Sequence, residues 1–264
     1  MQAMAAIDTV AGRIGVLEQG EAGTPLVLLH GVGSDKSVWA PQVEAFGEER
    51  RTIALDYPGY GESAARPGAT RDDFAAACWA ALDALGIGRA HVCGLSLGGV
   101  VAIAMHTAAP DRCASLILAD TFARHPDGQA IHDRSVAAAG ELGMRGLAEA
   151  RIDTLVGPRT YPALRAALVE TMTGIDPGAY RIGAEAVWLA DQRERVRAID
   201  CAVLIVCGSE DRITPPALSE DLKDRIPHAA LVEISGAGHL ANAEQPAIFN
   251  RVLAGFLHGV EASA

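Results

Sequence analysis

The chain has 264 residues, of which 50% are hydrophobic and 21% are charged, and its 22 basic and 33 acidic residues give a formal net charge of −11. This composition is that of a folded globular protein, and a chain of this length fits a single α/β domain. The excess of acid argues against nucleic acid or an anionic membrane as a partner, because both select clustered lysine and arginine.

Short apolar runs rich in β-branched residues alternate with helical patterns along the chain. An antiparallel hairpin is predicted first, over residues 5–10 and 13–18. Further strands are predicted at 25–29, 52–55, 90–93, 114–118, 202–207 and 230–234. Helices are predicted at 71–85, 98–108, 216–225 and 243–257. Strands that are apolar on both faces belong in a parallel sheet covered by helices, so the pattern predicts a doubly wound α/β sheet.

Residues 124–196 interrupt this alternation, since they contain amphipathic helical pieces broken by proline and glycine but no strand pattern. A segment of this length is too long for a connection and is typical of a lid or binding element. We expect residues 1–123 and 197–264 to form the core, with 124–196 inserted as a helical cap.

The cysteines and the first residues bear on the cell compartment. Cysteine is scattered without a CxxC spacing, at Cys78, Cys93, Cys113, Cys201 and Cys207. Such residues are expected to be free and buried, which fits a reducing cytoplasm and predicts no zinc or redox site. The amino terminus has no signal-peptide pattern. The nearly uncharged stretch 92–109 is as long as a membrane span, but its glycine-rich turn at 94–99 predicts a buried strand and helix instead.

The pentapeptide Gly94–Gly98 matches G-x-S-x-G between a predicted strand and a predicted helix. A nucleophilic serine on so tight a turn needs glycine two residues away on each side, because side chains there would meet the crowded backbone. The helix that follows offers backbone N–H groups and a partial positive charge at its amino end. Ser96 is therefore the predicted nucleophile.

A nucleophilic serine needs a base, and the base needs an orienting acid. Asp211 lies in GSEDRITPP after the strand at 202–207, and His239 lies in GAGHL after the last strand. Both follow carboxyl ends of parallel strands, where such sheets gather their sites. Asp120, after the strand at 114–118, is the alternative acid. We prefer Asp211 because of its Glu-Asp-Arg context.

The loop His30-Gly31-Val32-Gly33 follows the strand at 25–29. Acyl transfer needs backbone donors for an oxyanion. The glycines allow this loop to fold over Ser96, so the N–H groups of Val32 and Leu97 are the predicted oxyanion hole. His30 is interpreted as a structural histidine that bridges loops.

These motifs make the sequence recognisable. With HGVG, DYPGYGES, GLSLGG, GSEDRITPP and GAGHL in register, the chain resembles the α/β-hydrolase superfamily over essentially its whole length. HGVGSDKSVWAPQ and GHLANAEQP make it most similar to the 3-oxoadipate enol-lactonase branch. The resemblance implies hydrolysis of a lactone or ester without a cofactor, under a helical cap.

Two cap residues are substrate-binding candidates. The resemblance implies a cap tryptophan near an arginine, and the matching stretch, 131–134, keeps Arg134 but lacks the aromatic residue. A second cap aromatic, expected near 155–158, is also missing. Arg134 could hold a substrate carboxylate or be an ordinary exposed arginine, and Trp188 could line the pocket or only pack. Trp39 is expected in the core.

The leading hypothesis is a serine esterase or lactonase acting on a small molecule, with no metal or nucleotide, since the glycine-rich turn lacks the Lys-Ser/Thr of a P-loop. A carbon–carbon hydrolase with the same triad is the alternative enzyme. A ligand receptor that keeps the triad without turnover is the alternative from another class. Whether the chain forms a homodimer stays open.

Overall fold

Eight strands form one sheet in a computed structural model that describes residues 3–263. They are β1 (Ala3–Thr9), β2 (Gly12–Gln19), β3 (Leu26–Leu29), β4 (Thr52–Leu55), β5 (Ala90–Leu95), β6 (Cys113–Ala119), β7 (Ala202–Gly208) and β8 (Ala230–Ile234). Their order across the sheet is β1-β2-β4-β3-β5-β6-β7-β8. The hairpin β1–β2 and the β2–β4 pair are antiparallel, whereas every pair from β4 to β8 is parallel.

Helices cover both faces of this sheet. They are α1 (Ala40–Phe46), α2 (Arg71–Ala84), α3 (Leu97–Ala108), α4 (Gly128–Leu155), α5 (Pro162–Thr173), α6 (Pro177–Trp188), α7 (Arg193–Arg197), α8 (Pro216–Arg225), α9 (Ala241–Glu244) and α10 (Pro246–Glu261). Short 3₁₀ turns span Lys36–Trp39 and Pro110–Arg112. Because helices pack on each face, the central strands β3 to β6 are buried along their whole length. The predicted fold class is confirmed.

Two details of the helices refine the sequence interpretation. The helix predicted at 243–257 is two elements, since α10 begins at Pro246, a residue that suits the first helical position because it has no N–H to leave unpaired. The uncharged stretch 92–109 divides into β5 and α3. Within residues 3–263 no helix is long and apolar enough to cross a membrane.

The segment between β6 and β7 is helical. It contains α4 to α7, and the one bridge that the described residues form there joins Arg124 to Asp191. Helix α4 changes direction at Gly143, which has a left-handed φ of +68° that glycine adopts readily. Residues of α4, α5 and α6 reach the carboxyl edge of the sheet, where the candidate site lies.

Two apolar cores lie on the two sides of the sheet. Trp39 is fully buried in one of them and packs against Phe249 with ring centroids 6.0 Å apart, as a core residue would. All five cysteines are free thiols, and Cys201 is the one that is partly exposed. Burial raises the pKa of the Cys78 thiol to about 12, so it stays protonated and unreactive.

Candidate active site

Loops at the carboxyl edge of the sheet bring the predicted serine, acid and base together. Ser96 follows β5, Asp211 lies three residues beyond the end of β7, and His239 follows β8. Ser96 and His239 line one pocket, and Asp211 is hydrogen-bonded to His239. Residues that lie far apart in the sequence therefore meet in one place.

Ser96 lies on a sharp turn between β5 and α3. Its backbone angles are φ 56° and ψ −112°, a conformation that costs a non-glycine residue about 1–3 kcal/mol. A Cβ on Gly94 would overlap the backbone of Gly98, and a Cβ on Gly98 would overlap the carbonyl oxygen of Leu29. The Ser96 N–H donates to the carbonyl of Ala119 on β6 at 2.9 Å. Both glycines are thus required by close backbone packing around the strained serine.

The Ser96 hydroxyl is buried, with 2% of the residue exposed, and its Oγ has no hydrogen-bond partner among the described residues. Native structures satisfy most buried hydroxyls, so an unpaired one needs an explanation. The amino end of α3 starts at the next residue, which places the hydroxyl in a region of positive helix potential. This environment favours negative charge at Oγ.

Asp211 holds His239 in a fixed orientation. Its Oδ2 lies 2.8 Å from Nδ1 of His239 and accepts from the Thr214 hydroxyl at 2.6 Å. Its Oδ1 accepts from the N–H groups of Ile213 and Thr214, at 2.7 and 3.0 Å. The His239 N–H donates to the carbonyl of Leu155 at 2.9 Å. With Nδ1 donating to Asp211, the other ring nitrogen of His239 is free to accept a proton.

The pKa values of the two rival acids are shifted in opposite directions. Burial opposes ionisation of Asp211, but the adjacent His239 and the hydrogen bonds from His239 and Thr214 bring its pKa below its usual value. Asp120 is fully buried, and burial together with the negative charge of Asp211 raises its pKa well above the usual value. Asp120 accepts from the Gly208 N–H at 2.8 Å, and its Oδ2 has no partner among residues 3–263. The acid that contacts the imidazole is Asp211.

The predicted oxyanion donors belong to the loop after β3 and to the start of α3. Val32 lines the pocket, and its N–H makes no hydrogen bond within the described part of the chain. Leu97 is the first residue of α3, a position whose N–H has no carbonyl partner inside the helix. A Cβ on Gly31 would lie 3.5 Å from Cβ of Ser96, so this loop passes directly over the serine. Two N–H groups without a partner among the described residues therefore lie near Ser96.

A buried ion pair that the sequence did not reveal fixes this loop. Nζ of Lys36 lies 2.8 Å from Oδ2 of Asp56, and the Lys36 N–H donates to Oδ1 of the same carboxylate at 2.8 Å. The Lys36 ammonium also contacts Glu62. His30 is buried beside Tyr57, and burial lowers its pKa, which favours the neutral ring. His30 does not line the pocket, which fits the structural interpretation.

Glu244 is a second residue that sequence analysis missed. Its Oε1 accepts from the N–H groups of Gly238 and Leu240, on either side of His239, at 3.0 and 3.2 Å. Its Oε2 accepts from the Gly157 N–H and the Thr160 hydroxyl, both at 2.7 Å. One carboxylate therefore joins the His239 loop to the segment that follows α4. Its position five residues after His239 was the only signal available in the sequence.

The pocket around Ser96 is mostly apolar, and half of its wall comes from residues of the 124–196 segment. Helices α4, α5 and α6 contribute Ala148, Arg151, Ile152, Leu155, Leu168, Val169, Met172 and Trp188. Trp188, predicted as a pocket or packing residue, does both, since it lines the pocket and stacks on Phe122 at 5.9 Å. Its indole Nε1 is buried without a partner among the described residues, which leaves a donor beside the pocket.

The arginine that lines this pocket is Arg151 rather than Arg134. Arg134 is exposed on α4 and lines a neighbouring groove instead. Arg151 lies farther along the same helix and donates to the Tyr180 hydroxyl at 2.6 Å. Among residues 3–263, no group of three or more His, Cys, Asp or Glu side chains could hold a metal ion.

Comparison with known proteins adds to this geometry. The sequence profile described as "Alpha/beta hydrolase family" matches residues 26–252. The chain is 31% identical to a protein of Azorhizobium caulinodans provisionally named carbamate hydrolase RutD, over 89% of this chain and 91% of that one. It is 30% identical to 3-oxoadipate enol-lactonase 2 of Acinetobacter baylyi, over 92% of this chain and 90% of that one.

Among solved structures, a malate-bound thermophilic esterase from Thermogutta terrifontis superposes with a TM-score of 0.89 and 31% identity, covering 98% of this chain and 99% of the esterase. The resemblance to enol-lactonases is confirmed, and the carbamate hydrolase and the esterase are just as similar to this chain. These three relatives are hydrolases with different named substrates. The chain belongs to the alpha/beta hydrolase family and is a hydrolytic enzyme.

Proposed function

We propose that this chain is a serine hydrolase that cleaves a carboxylic ester or lactone through an acyl-enzyme. The observation that carries the proposal is the buried Ser96 hydroxyl, which has no partner among the described residues and shares a pocket with His239. Nδ1 of His239 is hydrogen-bonded to buried Asp211. The enol-lactonase and esterase relatives support the bond type.

In this mechanism Oγ of Ser96 attacks the carbonyl carbon while Nε2 of His239 takes the hydroxyl proton. Asp211 keeps the proton of Nδ1 in place and stabilises the imidazolium that forms. The N–H groups of Val32 and Leu97 bind the oxyanion, and one such donor contributes about 3–4 kcal/mol to transition-state stabilisation. His239 then protonates the leaving alcohol. In the second half of the reaction, His239 takes a proton from water, which attacks the acyl carbonyl. Ser96 then leaves with a proton from His239, and the carboxylic acid is released.

Residues 124–196 act as the cap in this proposal. The catalytic groups come from the sheet edge, whereas α4, α5 and α6 supply the apolar wall that faces the acyl or alcohol part of the substrate. Burial of that part against leucine, isoleucine and methionine side chains supplies binding energy, and their shapes select the substrate. We therefore expect changes in this wall to alter selectivity more than the rate of the chemical step.

Covalent labelling tests the proposal directly. A fluorophosphonate should modify Ser96 and no other serine, although Ser34 lines the same pocket and provides an internal control for peptide mapping. Ser96→Ala should abolish labelling and reduce kcat on p-nitrophenyl esters by about 10⁴- to 10⁶-fold, with an unchanged circular dichroism spectrum. More than a few per cent of residual turnover, or a label on Ser34, would contradict the assignment.

A substrate panel then separates the bond types. Matched p-nitrophenyl esters, small lactones and carbamates can be compared by kcat/KM with wild-type protein. We expect esters or lactones to exceed carbamates at least tenfold, because the described pocket residues from the 124–196 segment carry no side-chain oxygen that could accept from a carbamate N–H. Carbamates as the best substrates would keep the serine mechanism but overturn the ester assignment.

A further inference from the structure

His125 is a buried histidine that lies where the chain leaves β6 for the 124–196 segment, six residues after the end of that strand. It does not line the Ser96 pocket and takes no part in the proposed reaction steps. Its Nε2 nevertheless lies 3.1 Å from the carbonyl oxygen of Ile213, two residues after Asp211. A buried imidazole therefore joins the start of the helical segment to the loop that carries the acid.

The contacts of the His125 ring determine which of its nitrogens carries the proton. Nδ1 lies 3.1 Å from the backbone nitrogen of Asp127, whose N–H can only donate. Nδ1 therefore accepts, and in a neutral ring the proton must then be on Nε2. Burial lowers the pKa of His125, which favours this neutral form. The Nε2–H group thus donates to the carbonyl of Ile213.

The carbonyl of Ile213 and the N–H of Thr214 belong to one peptide unit. The peptide bonds of the described residues are trans, so these two groups point in opposite directions. His125 donates to the oxygen of this unit, and the N–H on the other side donates to Oδ1 of Asp211 at 3.0 Å. Hydrogen bonds in a chain polarise one another, so a donor at the carbonyl strengthens the N–H bond to the carboxylate. One peptide unit therefore links His125 to Asp211.

Two aromatic rings hold the imidazole of His125 in the orientation that this bond needs. The Phe122 ring is edge-on to it, with centroids 5.4 Å apart and an interplanar angle of 82°, and the Trp188 ring is edge-on at 5.7 Å and 88°. Phe122 and Trp188 also stack on each other. Because Trp188 lines the Ser96 pocket, the pocket wall and the acid loop are both in contact with His125.

We propose that His125 is a positioning residue for Asp211, acting through the peptide unit between Ile213 and Thr214. This inference rests on the proposed function, in which Asp211 orients His239. Asp211 keeps other donors without His125, so loss of the imidazole should weaken the bond between Asp211 and His239 rather than break it. The effect should appear in kcat, because His239 moves the proton in the chemical step, and not in KM, because His125 does not line the pocket.

Two variants separate the roles of the two ring nitrogens. In His125→Gln the amide nitrogen takes the place of Nε2 and can still donate to the Ile213 carbonyl. In His125→Asn the shorter amide takes the place of Nδ1, so it can accept from the Asp127 N–H but does not reach Ile213. On a p-nitrophenyl ester, His125→Asn should lower kcat about 5- to 20-fold with KM within about twofold, whereas His125→Gln should keep kcat within about threefold of wild type.

His106→Asn is the matched control, since His106 is also a buried histidine but its Nε2 contacts Asp200 instead of the acid loop. This variant should leave both kcat and KM unchanged. A loss of kcat in His106→Asn as large as that in His125→Asn would show that removing any buried histidine has this effect, and the proposal would fall.

NMR tests the hydrogen bonds themselves. In wild-type protein at neutral pH, the nitrogen chemical shifts of the His125 imidazole should show a proton on Nε2, and a proton on Nδ1 would overturn the proposal without any variant. The downfield resonance of the His239 Nδ1 proton can be assigned by its loss in Asp211→Asn. It should move upfield in His125→Asn and keep its position in His125→Gln.

Three results would overturn the proposal: equal losses of kcat in the two His125 variants, wild-type kcat in a folded His125→Asn protein, or a downfield resonance that His125→Asn leaves unchanged. If His125→Asn does not fold, His125→Leu, which is similar in size and has no donor, takes its place. Turnover retained by Ser96→Ala would refute the proposed function instead. A resonance that still moved in His125→Asn alone would then preserve the positioning role of His125.

Discussion

Replacing Asp211 by asparagine should abolish catalysis with little effect on the fold. The amide oxygen of the variant can still accept from the N–H groups of Ile213 and Thr214. The amide nitrogen takes the place of Oδ2, so a nitrogen now faces the Thr214 hydroxyl and Nδ1 of His239. Because an amide nitrogen donates, Nδ1 of His239 must accept, and the imidazole proton moves to the nitrogen that should receive the proton of Ser96.

The expected loss follows from this change of tautomer. A base with the wrong tautomer reduces kcat by about 10⁴, which corresponds to about 5.4 kcal/mol in the activation free energy. The charge-assisted bond to His239 is replaced by a neutral bond of opposite direction, and the Thr214 hydroxyl must turn to accept, so the free energy of unfolding should fall by about 1–3 kcal/mol. The pKa of Asp211 lies below its usual 3.8, so the stability that it contributes is complete above that pH and is lost as the pH falls through the lowered value.

Asp120→Asn is the matched control, because Asp120 is a buried acid at the end of the neighbouring strand. Its amide oxygen can keep the 2.8 Å bond from the Gly208 N–H, and its Oδ2 has no partner to lose in the described residues. We expect kcat/KM on a p-nitrophenyl ester within tenfold of wild type. A crippled Asp120→Asn enzyme beside a nearly normal Asp211→Asn enzyme would refute the assignment of the acid.

Two further predictions concern stability and loop positioning. Burial and Asp211 raise the pKa of Asp120 in the folded protein, so ionisation of this carboxyl opposes folding at every pH above its usual pKa of 3.8. Relative to wild type, Asp120→Asn should therefore gain thermal stability as the pH rises from 4 to 8. A difference in melting temperature that stays constant over this range would contradict the prediction. Glu244→Gln should weaken up to two of the four hydrogen bonds that this carboxylate accepts from N–H and hydroxyl donors. The free energy of unfolding should fall by about 2–4 kcal/mol, and kcat should fall more than KM changes. If stability and kinetics were both unchanged, Glu244 would not position His239.

The sequence predicted the strands and the Ser96 turn well because each depends on local chemistry. A short run of β-branched apolar residues without charge is stable as a strand when both of its faces are buried. The glycines around Ser96 avoid a steric clash with backbone atoms, and much of this clash arises within a few residues of the chain. The groups that hold the site together depend on distant contacts. Glu244 joins residues more than eighty positions apart, and the contact between Lys36 and Asp56 depends on the pairing of β3 with β4.

The choice between Arg134 and Arg151 shows where periodicity fails. Both lie on α4, and in a regular helix the number of residues between them would predict whether their side chains lie on the same face. The left-handed φ of Gly143 changes the direction of the helix between them, so the residues before and after it no longer share a face. Sequence alone locates the glycine but does not say that the helix turns there.

The site also has to limit its own negative charge. In the proposed mechanism an ionised Asp211 stabilises the imidazolium that forms when Ser96 loses its proton, and this stabilisation helps only during the reaction. Asp120 ends the strand next to β7, and burial together with the charge of Asp211 raises its pKa, which favours the neutral form. A neutral Asp120 adds no second negative charge beside Asp211 and offers none to an imidazolium. The same burial that makes Asp120 unsuitable as the orienting acid therefore leaves that role to Asp211.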